Sequence, residues 1–433
     1  MFSLHETTQR RVCRVAFITC AAVPTLLTLV WIAYSLRPWR ESDWQRTLSQ
    51  QLHVHGCVDH VTSLRPGTLR LKNVQLADLR SEMPLVALNE VRTRWRGSEL
   101  TLIADQLLIE SASFPSLAAT LATWMSAADL PAVQLQAKLL KIEGPSQQTI
   151  SLRDVSMRSQ QKAGQPQQLA IKAMLLTGEQ GEAAHPLQLV VQQNATQTTA
   201  TLHTDAGRLP SWLLANLLPS VARSPEATFS GSVRLESNAR KVSGSLRGRV
   251  TGLSLSDWLG FESPHTVRGM AQVELDQLTW QGERVVSAHG NLSAANGAVG
   301  NSLLIEAVKR LYCVTGADVV LDSTSVGKLL PFDELACEFQ ITNAGITLKG
   351  KCASLAIDSP GCLVSAGGRA LLLEPTYSNM PVAQLVQLLS KSASSWLPAS
   401  QEAHAMAGKL PLPSVSPQSQ AEVAEKPKDS KSR

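Results

Sequence analysis

The pattern of apolar and polar positions changes twice along the chain. From Val15 to Leu36 no charged residue interrupts 22 positions, VAFITCAAVPTLLTLVWIAYSL. At ~1.5 Å per residue such a helix reaches about 33 Å, enough to cross a hydrocarbon core of ~30 Å. Glu41 to Leu52 keeps helical spacing and reads as a stalk. From there the period is two. Leu69 and Leu71 share a face, and Val74 and Leu76 resume it after a one-residue slip at Asn73, as a β-bulge makes. Leu100, Leu102 and Ala104 alternate with polar residues, as do Val133, Leu135 and Ala137, and Leu187, Leu189 and Val191. The same holds for Val233 and Leu235, for Ala271, Val273 and Leu275, for Phe339, Ile341, Ile346 and Leu348, and for Leu355 and Ile357. One apolar and one polar face is the mark of an antiparallel sheet wetted on one side. Gly and Asn turns make Ser230 to Lys351 a dense run of hairpins.

Helical signals are sparse. They predict a helix after Ser113, with Pro115 near its start, a second over 208–218, and a third over 301–313 capped by Asn301. A fourth, over 379–397, carries the apolar stripe Val382, Leu385, Val386, Leu388 and Leu389. It reads either as a cap on an open sheet end or as a membrane- or partner-docking helix. The chain thus parses into 1–14, a span at 15–36, a stalk at 37–52, an N-terminal β region at 53–206, and a helical insertion at 207–223. A C-terminal β region at 224–375, an amphipathic helix at 376–398 and a Pro/Ser/Lys-rich, disordered tail at 411–433 follow.

Charge orients the span. Arg10, Arg11 and Arg14 precede it, and Trp31, Tyr34 and Trp39 sit where an interfacial aromatic belt lies. The positive-inside rule puts Met1 to Arg14 in the cytoplasm and the rest beyond the membrane. No small-x-small cleavage site follows the apolar run, which favours an uncleaved anchor over a signal peptide. The net charge of +5 is dispersed, without the interleaved basic and aromatic residues that track nucleic acid. Aromatic residues make up only 4%, so the interior must be built from Leu, Val, Ile and Ala.

Candidate chemistry is thin. On a strand, His53, His55, Cys57 and Asp59 share one face, a spacing that suggests metal ligands. One strand cannot wrap a tetrahedral ion, because residues i and i+4 sit ~13 Å apart. The other reading is a polar outer face, with Val54 and Val58 turned inward. Cys352 and Cys362 flank a Ser-Pro-Gly turn between two apolar segments, which makes them a candidate disulfide; two buried, reduced cysteines fit the same pattern. No C-x-x-C, G-x-S-x-G, P-loop, H-E-x-x-H or G-x-G-x-x-G motif occurs, so the chain reads as a non-enzyme without a cofactor. The carboxylates Asp276, Glu283, Asp333 and Glu334 read as solvated turn residues.

The N-terminal order of span, short helix and strand is followed by Leu64-Arg65-Pro66-Gly67-Thr68-Leu69-Arg70-Leu71-Lys72-Asn73-Val74-Gln75-Leu76. Asn89-Glu90-Val91-Arg92 and Leu100-Thr101-Leu102 continue the register. This resembles the AsmA-like and TamB-like envelope proteins of bacteria, of the repeating β-groove lipid-transfer superfamily. The stretch VRGMAQVELDQLTWQGERVVSAHGNLSAANGAVGNSLL is similar to the C-terminal region of that family. The resemblance implies a mainly β fold: an N-terminal transmembrane helix, then an elongated, curled antiparallel sheet, taco-like, with a few short helices. It implies a β-groove that binds or passively conducts phospholipid acyl chains in the cell envelope. The protein would be a single-pass inner-membrane protein with its bulk in the periplasm and an envelope protein as a further partner. The groove positions expected from alternation are Leu69, Leu71, Leu100, Leu102, Leu187, Leu189, Val233, Leu235, Val273 and Leu275. The alternatives are a closed sandwich, and a scaffold for an envelope or secretion complex through which no lipid moves.

Overall fold

The computed structural model describes Phe17, residues 23–35, 45–46 and 49, most of 54–389, and Leu410. Within 54–389 it leaves out 66–67, 80–82, 97–98, 127–131, 146–147, 161–166, 178–182, 195, 216–218, 239–240, 261–262, 283, 318, 320, 322–326 and 356–358. The fold is mainly β, with a few short helices. Helix α1 (Val23–Ser35) covers 13 of the 22 positions expected to span a membrane. Its side chains Leu26, Leu27, Leu29 and Val30 are exposed. Among the described residues no helix is long and apolar enough to cross a membrane. Of the expected stalk only Gln45, Arg46 and Ser49 are described, all helical, and the tail at 411–433 lies outside the described residues. The chain divides into two compact units, Met1–Gln161 and Lys162–Arg433, a boundary that falls inside the expected 53–206 region.

The first unit holds a six-stranded sheet: β1 (Val54–Arg65), β2 (Thr68–Asp78), β3 (Pro84–Arg96), β4 (Glu99–Glu110), β5 (Ala132–Glu143) and β6 (Thr149–Gln160). Each strand pairs with the next, antiparallel except for the parallel pair β4–β5. A parallel step needs a crossover. Helix α2 (Phe114–Ser126) supplies it and packs on β2 and β3. Among the described residues nothing pairs β1 with β6, so this sheet is open.

From β2 to β6 its inward residues are spaced two, three, two along each strand. The register joins Val61, Leu71, Val91, Ala104, Ala137 and Val155 into one row across the sheet. Three residues away in each strand, a second row runs Val58, Val74, Leu88, Leu107, Leu140 and Leu152. All but Val61 are buried. Between the rows the pairing of β1 with β2 passes over Asp59 and Asn73 yet resumes without a shift, and the other pairs skip one position at the same level, or two between β3 and β4. Asn73 (φ 50°) and Asp154 (φ 51°) stand there in the left-handed region, which Asn and Asp tolerate best. The slip read at Asn73 is therefore one point on a crease that crosses the whole unit. Such a crease curls a sheet without costing its register.

The second unit begins as an antiparallel meander: β7 (Gln167–Thr177), β8 (Ala183–Gln193), β9 (Gln197–Pro210), β10 (Thr228–Asn238), β11 (Lys241–Ser254), β12 (Val267–Gln281) and β13 (Arg284–Gly300). After the short strand β14 (Cys313–Thr315), β15 (Leu329–Thr342) pairs with β13. It also pairs with β16 (Gly345–Gly350) over Cys337–Thr342 and with β17 (Cys362–Ala366) at Glu334 and Leu335. Then β17 pairs with β18 (Arg369–Pro375), and β18 with β14. Four helices, α3 (Pro219–Ala222), α4 (Leu255–Leu259), α5 (Asn301–Leu311) and α6 (Val382–Leu389), serve its inner face or ends. One core cluster contains Phe229, Leu246, Val250, Leu304, Ala307, Leu311, Phe332 and Leu388, so helical side chains fill much of this sheet's apolar side.

Three local expectations change. The helix read over 208–218 is, where described, the end of β9 and a 3-10 turn, Ser211–Leu214. Ser211 N–H donates to the Ala227 carbonyl at 2.8 Å and its hydroxyl to the Ser224 carbonyl at 3.0 Å, which fixes the bend. Helix α5 is capped by Gly300 rather than Asn301; the Gly300 N–H is already committed to the Thr266 carbonyl at 2.8 Å. The strand read around Leu355 and Ile357 is, where described, a 3-10 turn at Ala353–Leu355. There Glu334 accepts the Ala353 and Ser354 N–H groups at 3.0 and 3.1 Å and so removes two ladder donors.

Candidate functional site

The inner face of the first unit is the strongest candidate. Away from the crease, the row Leu69, Thr93, Leu102, Leu135 and Met157 runs along one wall. Leu76, Val86, Ile109 and Ile142 stand on the other. Apart from Thr93, which is buried, these positions are half-buried. The trough therefore has a sealed apolar floor at the crease and walls that, apart from Thr93, are apolar and remain reachable. β4 and β5 build matching parts of it: their twelve positions repeat one order of buried, half-buried and exposed residues. Leu102, Ala104, Leu107 and Ile109 lie beside Leu135, Ala137, Leu140 and Ile142.

The opposite face is charged. Arg70 donates to Glu90 at 2.6 Å and holds that carboxyl below its ordinary range, and Lys138 does the same to Asp105 at 2.8 Å. Asn73 Nδ2 donates to Asp59 at 3.0 Å across the crease. These solvent-accessible pairs contribute little stability. They keep the outer wall hydrated and thereby fix which face is apolar.

Of the ten positions read as lining, Leu71, Leu100, Val233 and Leu275 are buried, while Leu69, Leu102, Leu187, Leu189, Leu235 and Val273 are half-buried. Cross-strand register joins Leu69 to Leu102 through Thr93, and Leu189 to Val233 through Leu202. The four C-terminal positions, Val233, Leu235, Val273 and Leu275, belong to or pack on the filled core of the second unit. Alternation alone missed Val91, Leu107, Leu140 and Val155, because each lies across the slip from the strand's first apolar positions.

His55, Cys57 and Asp59 are exposed on the outer side of β1 with Val54 and Val58 inward, and His53 lies outside the described residues. Among the described residues no three His, Cys, Asp or Glu gather as a metal site. A recess of about 780 Å³ opens on the second unit's outer face. It places Arg208, Arg247 and Arg249 beside Asp205, Glu274 and Asp276. Arg249 pairs with Glu274 at 3.2 Å and Arg247 Nε donates to the Asp276 carbonyl at 2.8 Å. Three basic and three acidic groups cancel, so the recess has no charge preference. Asp276 also meets His289 at 3.1 Å, and Asp333 accepts the Gly367 N–H at 2.6 Å, so both carboxylates have structural partners.

Two tethers hold the C-terminal helix. His265 Nε2 meets the Leu388 carbonyl at 2.8 Å, which requires Nε2–H as donor and leaves the neutral ring's Nδ1 to accept from the Ser302 hydroxyl at 3.1 Å. Arg310 donates to Gln387 at 2.7 Å and to Glu306 at 2.7 Å. With Val382, Val386 and Leu388 buried, α6 is a cap on this unit. No protein-family model matches the chain, and no curated protein matches it either.

Proposed function

We propose that this is a membrane-anchored protein of the AsmA-like class whose first unit holds phospholipid acyl chains. It would carry or passively conduct them in a bacterial envelope, with its N-terminus cytoplasmic, residues 15–36 in the inner membrane and the β units in the periplasm. The observation that carries the reading is the trough: apolar on its floor and, apart from Thr93, on its walls, closed at the crease, half-buried toward both lips and backed by a charged face. Burial of each CH₂ from water yields ~0.8 kcal/mol, so an acyl chain gains by lying there while its head group stays wet. The exposed apolar side chains of α1 are consistent with an anchor beside a source of lipid.

The filled core of the second unit favours a second reading, an envelope scaffold that moves nothing. Native mass spectrometry of the detergent-released full chain, with lipid extraction, separates the two. Phospholipid that stays bound through detergent exchange supports the trough. A lipid-free chain sinks it and puts the scaffold first.

A further inference from the structure

Beside the main core of the second unit lies a small separate one: Ala336, Cys352, Leu355, Cys362 and Ala370, with Leu373 against it. It forms where the chain leaves β16, turns, and returns as β17. Lys351 N–H donates to the Ala336 carbonyl at 3.0 Å, and Cys352 N–H to the Cys362 carbonyl at 3.1 Å. Glu334, on β15, accepts two backbone N–H groups and the Ser354 hydroxyl, the last at 2.8 Å. Gly361, at φ 83°, makes a return that side chains rarely adopt. The excursion is thus held at its start and at its end.

Cys352 and Cys362 are 2% and 1% exposed. Both are thiols in this structure, set side by side by the backbone bond from Cys352 to Cys362. Their remaining contacts are poor: Cys352 Sγ lies 3.7 Å from the Glu334 carbonyl and Cys362 Sγ 3.3 Å from that of Val364, and S–H is a weak donor. A backbone hydrogen bond between two cysteines keeps their main chains within the reach of a disulfide.

We propose that Cys352 and Cys362 are joined as a disulfide in the working protein, a staple that closes the excursion and holds β17 against β15. The proposal rests on the reading that this unit faces an oxidising compartment. The oxidant is a disulfide of the thiol–disulfide oxidoreductase class. One cysteine, as thiolate, attacks it and expels one of its sulfurs. The second cysteine then displaces the other, so the oxidant leaves as a dithiol carrying both electrons and both protons. Because the sulfurs are sealed once this small core forms, the exchange belongs to folding.

No Lys or Arg separates the pair, so trypsin releases both in one peptide, 352–369, and a cut before Asp358 splits it. Full-length protein is taken from its membrane under non-reducing, alkylating conditions, then denatured and digested. A bridge leaves both cysteines unalkylated, makes the peptide lighter by two hydrogens and keeps its halves joined until reductant is added. Two alkylated cysteines overturn it. In parallel, the reduced protein is refolded in oxidised glutathione. A pair that closes there yet is alkylated in cell-derived protein overturns the compartment reading together with the native bridge. A pair that stays open overturns the staple alone, and lipid occupancy is measured independently. Reductant should lower the unfolding midpoint of the wild type and leave that of Cys352→Ser/Cys362→Ser unchanged; an equal response of both argues against the bridge.

Discussion

The ring of Phe332 lies across Gly297, its directly paired neighbour on the adjacent strand. A methyl at 297 would overlap that ring and also the Arg268 carbonyl, which cannot swing aside. The glycine leaves the space and the aromatic fills it. Gly297→Ala should therefore destabilise by about 1–3 kcal/mol through overpacking. Phe332→Ala, which empties a fully buried site, should cost about 3–5 kcal/mol. The double variant should cost less than the sum, since the lost ring removes part of the overlap. Denaturant midpoints of the three variants test this; strict additivity would contradict it.

Asn73 offers a test of the crease. With φ near 50°, it suits Asn or Gly and strains a β-branched residue. Asn73→Val should cost about 1–3 kcal/mol and Asn73→Gly less than ~1 kcal/mol, the latter mainly for the lost bond to Asp59. Equal midpoints in urea for the two variants would mean that the backbone at 73 is unconstrained.

Charge in the trough should empty it. Leu102 and Leu135 are half-buried neighbours on β4 and β5, whereas Ile103, the next residue, is 45% exposed on the other face. Leu102→Glu/Leu135→Glu is expected to abolish co-purifying phospholipid, and Ile103→Glu to leave it unchanged. Lipid content per chain is the readout. Equal loss in both would point to unfolding rather than to the trough.

Burial pushes the His265 imidazole below its ordinary value of 6.5; Arg310 adds to this, while the Leu388 carbonyl and Glu306 oppose it. The unfolded chain therefore binds the proton first as pH falls. The stability that His265 lends is complete above pH 6.5 and is lost as pH drops toward its lowered folded value. The unfolding midpoint of the wild type should decline from pH 7.5 to 5.5, and His265→Gln should flatten part of that slope. An unchanged slope would leave His265 out of the acid response.

The alternation around Leu69, Leu100, Val133 and Val273 is enough to place strands, because half-wet sheets impose period two. The slip at Asn73 is legible as well. What it signifies is not, since a single bulge and a sheet-wide crease look alike in one strand. The signal is nonetheless present: an apolar spacing of two, three, two recurs at Ile150, Leu152, Val155 and Met157, and again at Val273, Leu275, Leu278 and Trp280. The short turns resist reading for another reason. Ser211, Gly300 and Ala353 take their conformations from partners 13 to 34 residues away, Ser224, Thr266 and Glu334 among them, which no local pattern encodes.

The crease also has a mechanical meaning. A sheet resists bending because each ladder hydrogen bond ties neighbouring strands along their length, and in the first unit those ties lapse at one level shared by all six strands. Flexing about that line opens or narrows the angle between the walls while every register on either side is kept. The trough thus has a spine, like a book, and the angle between its covers is set along that one line.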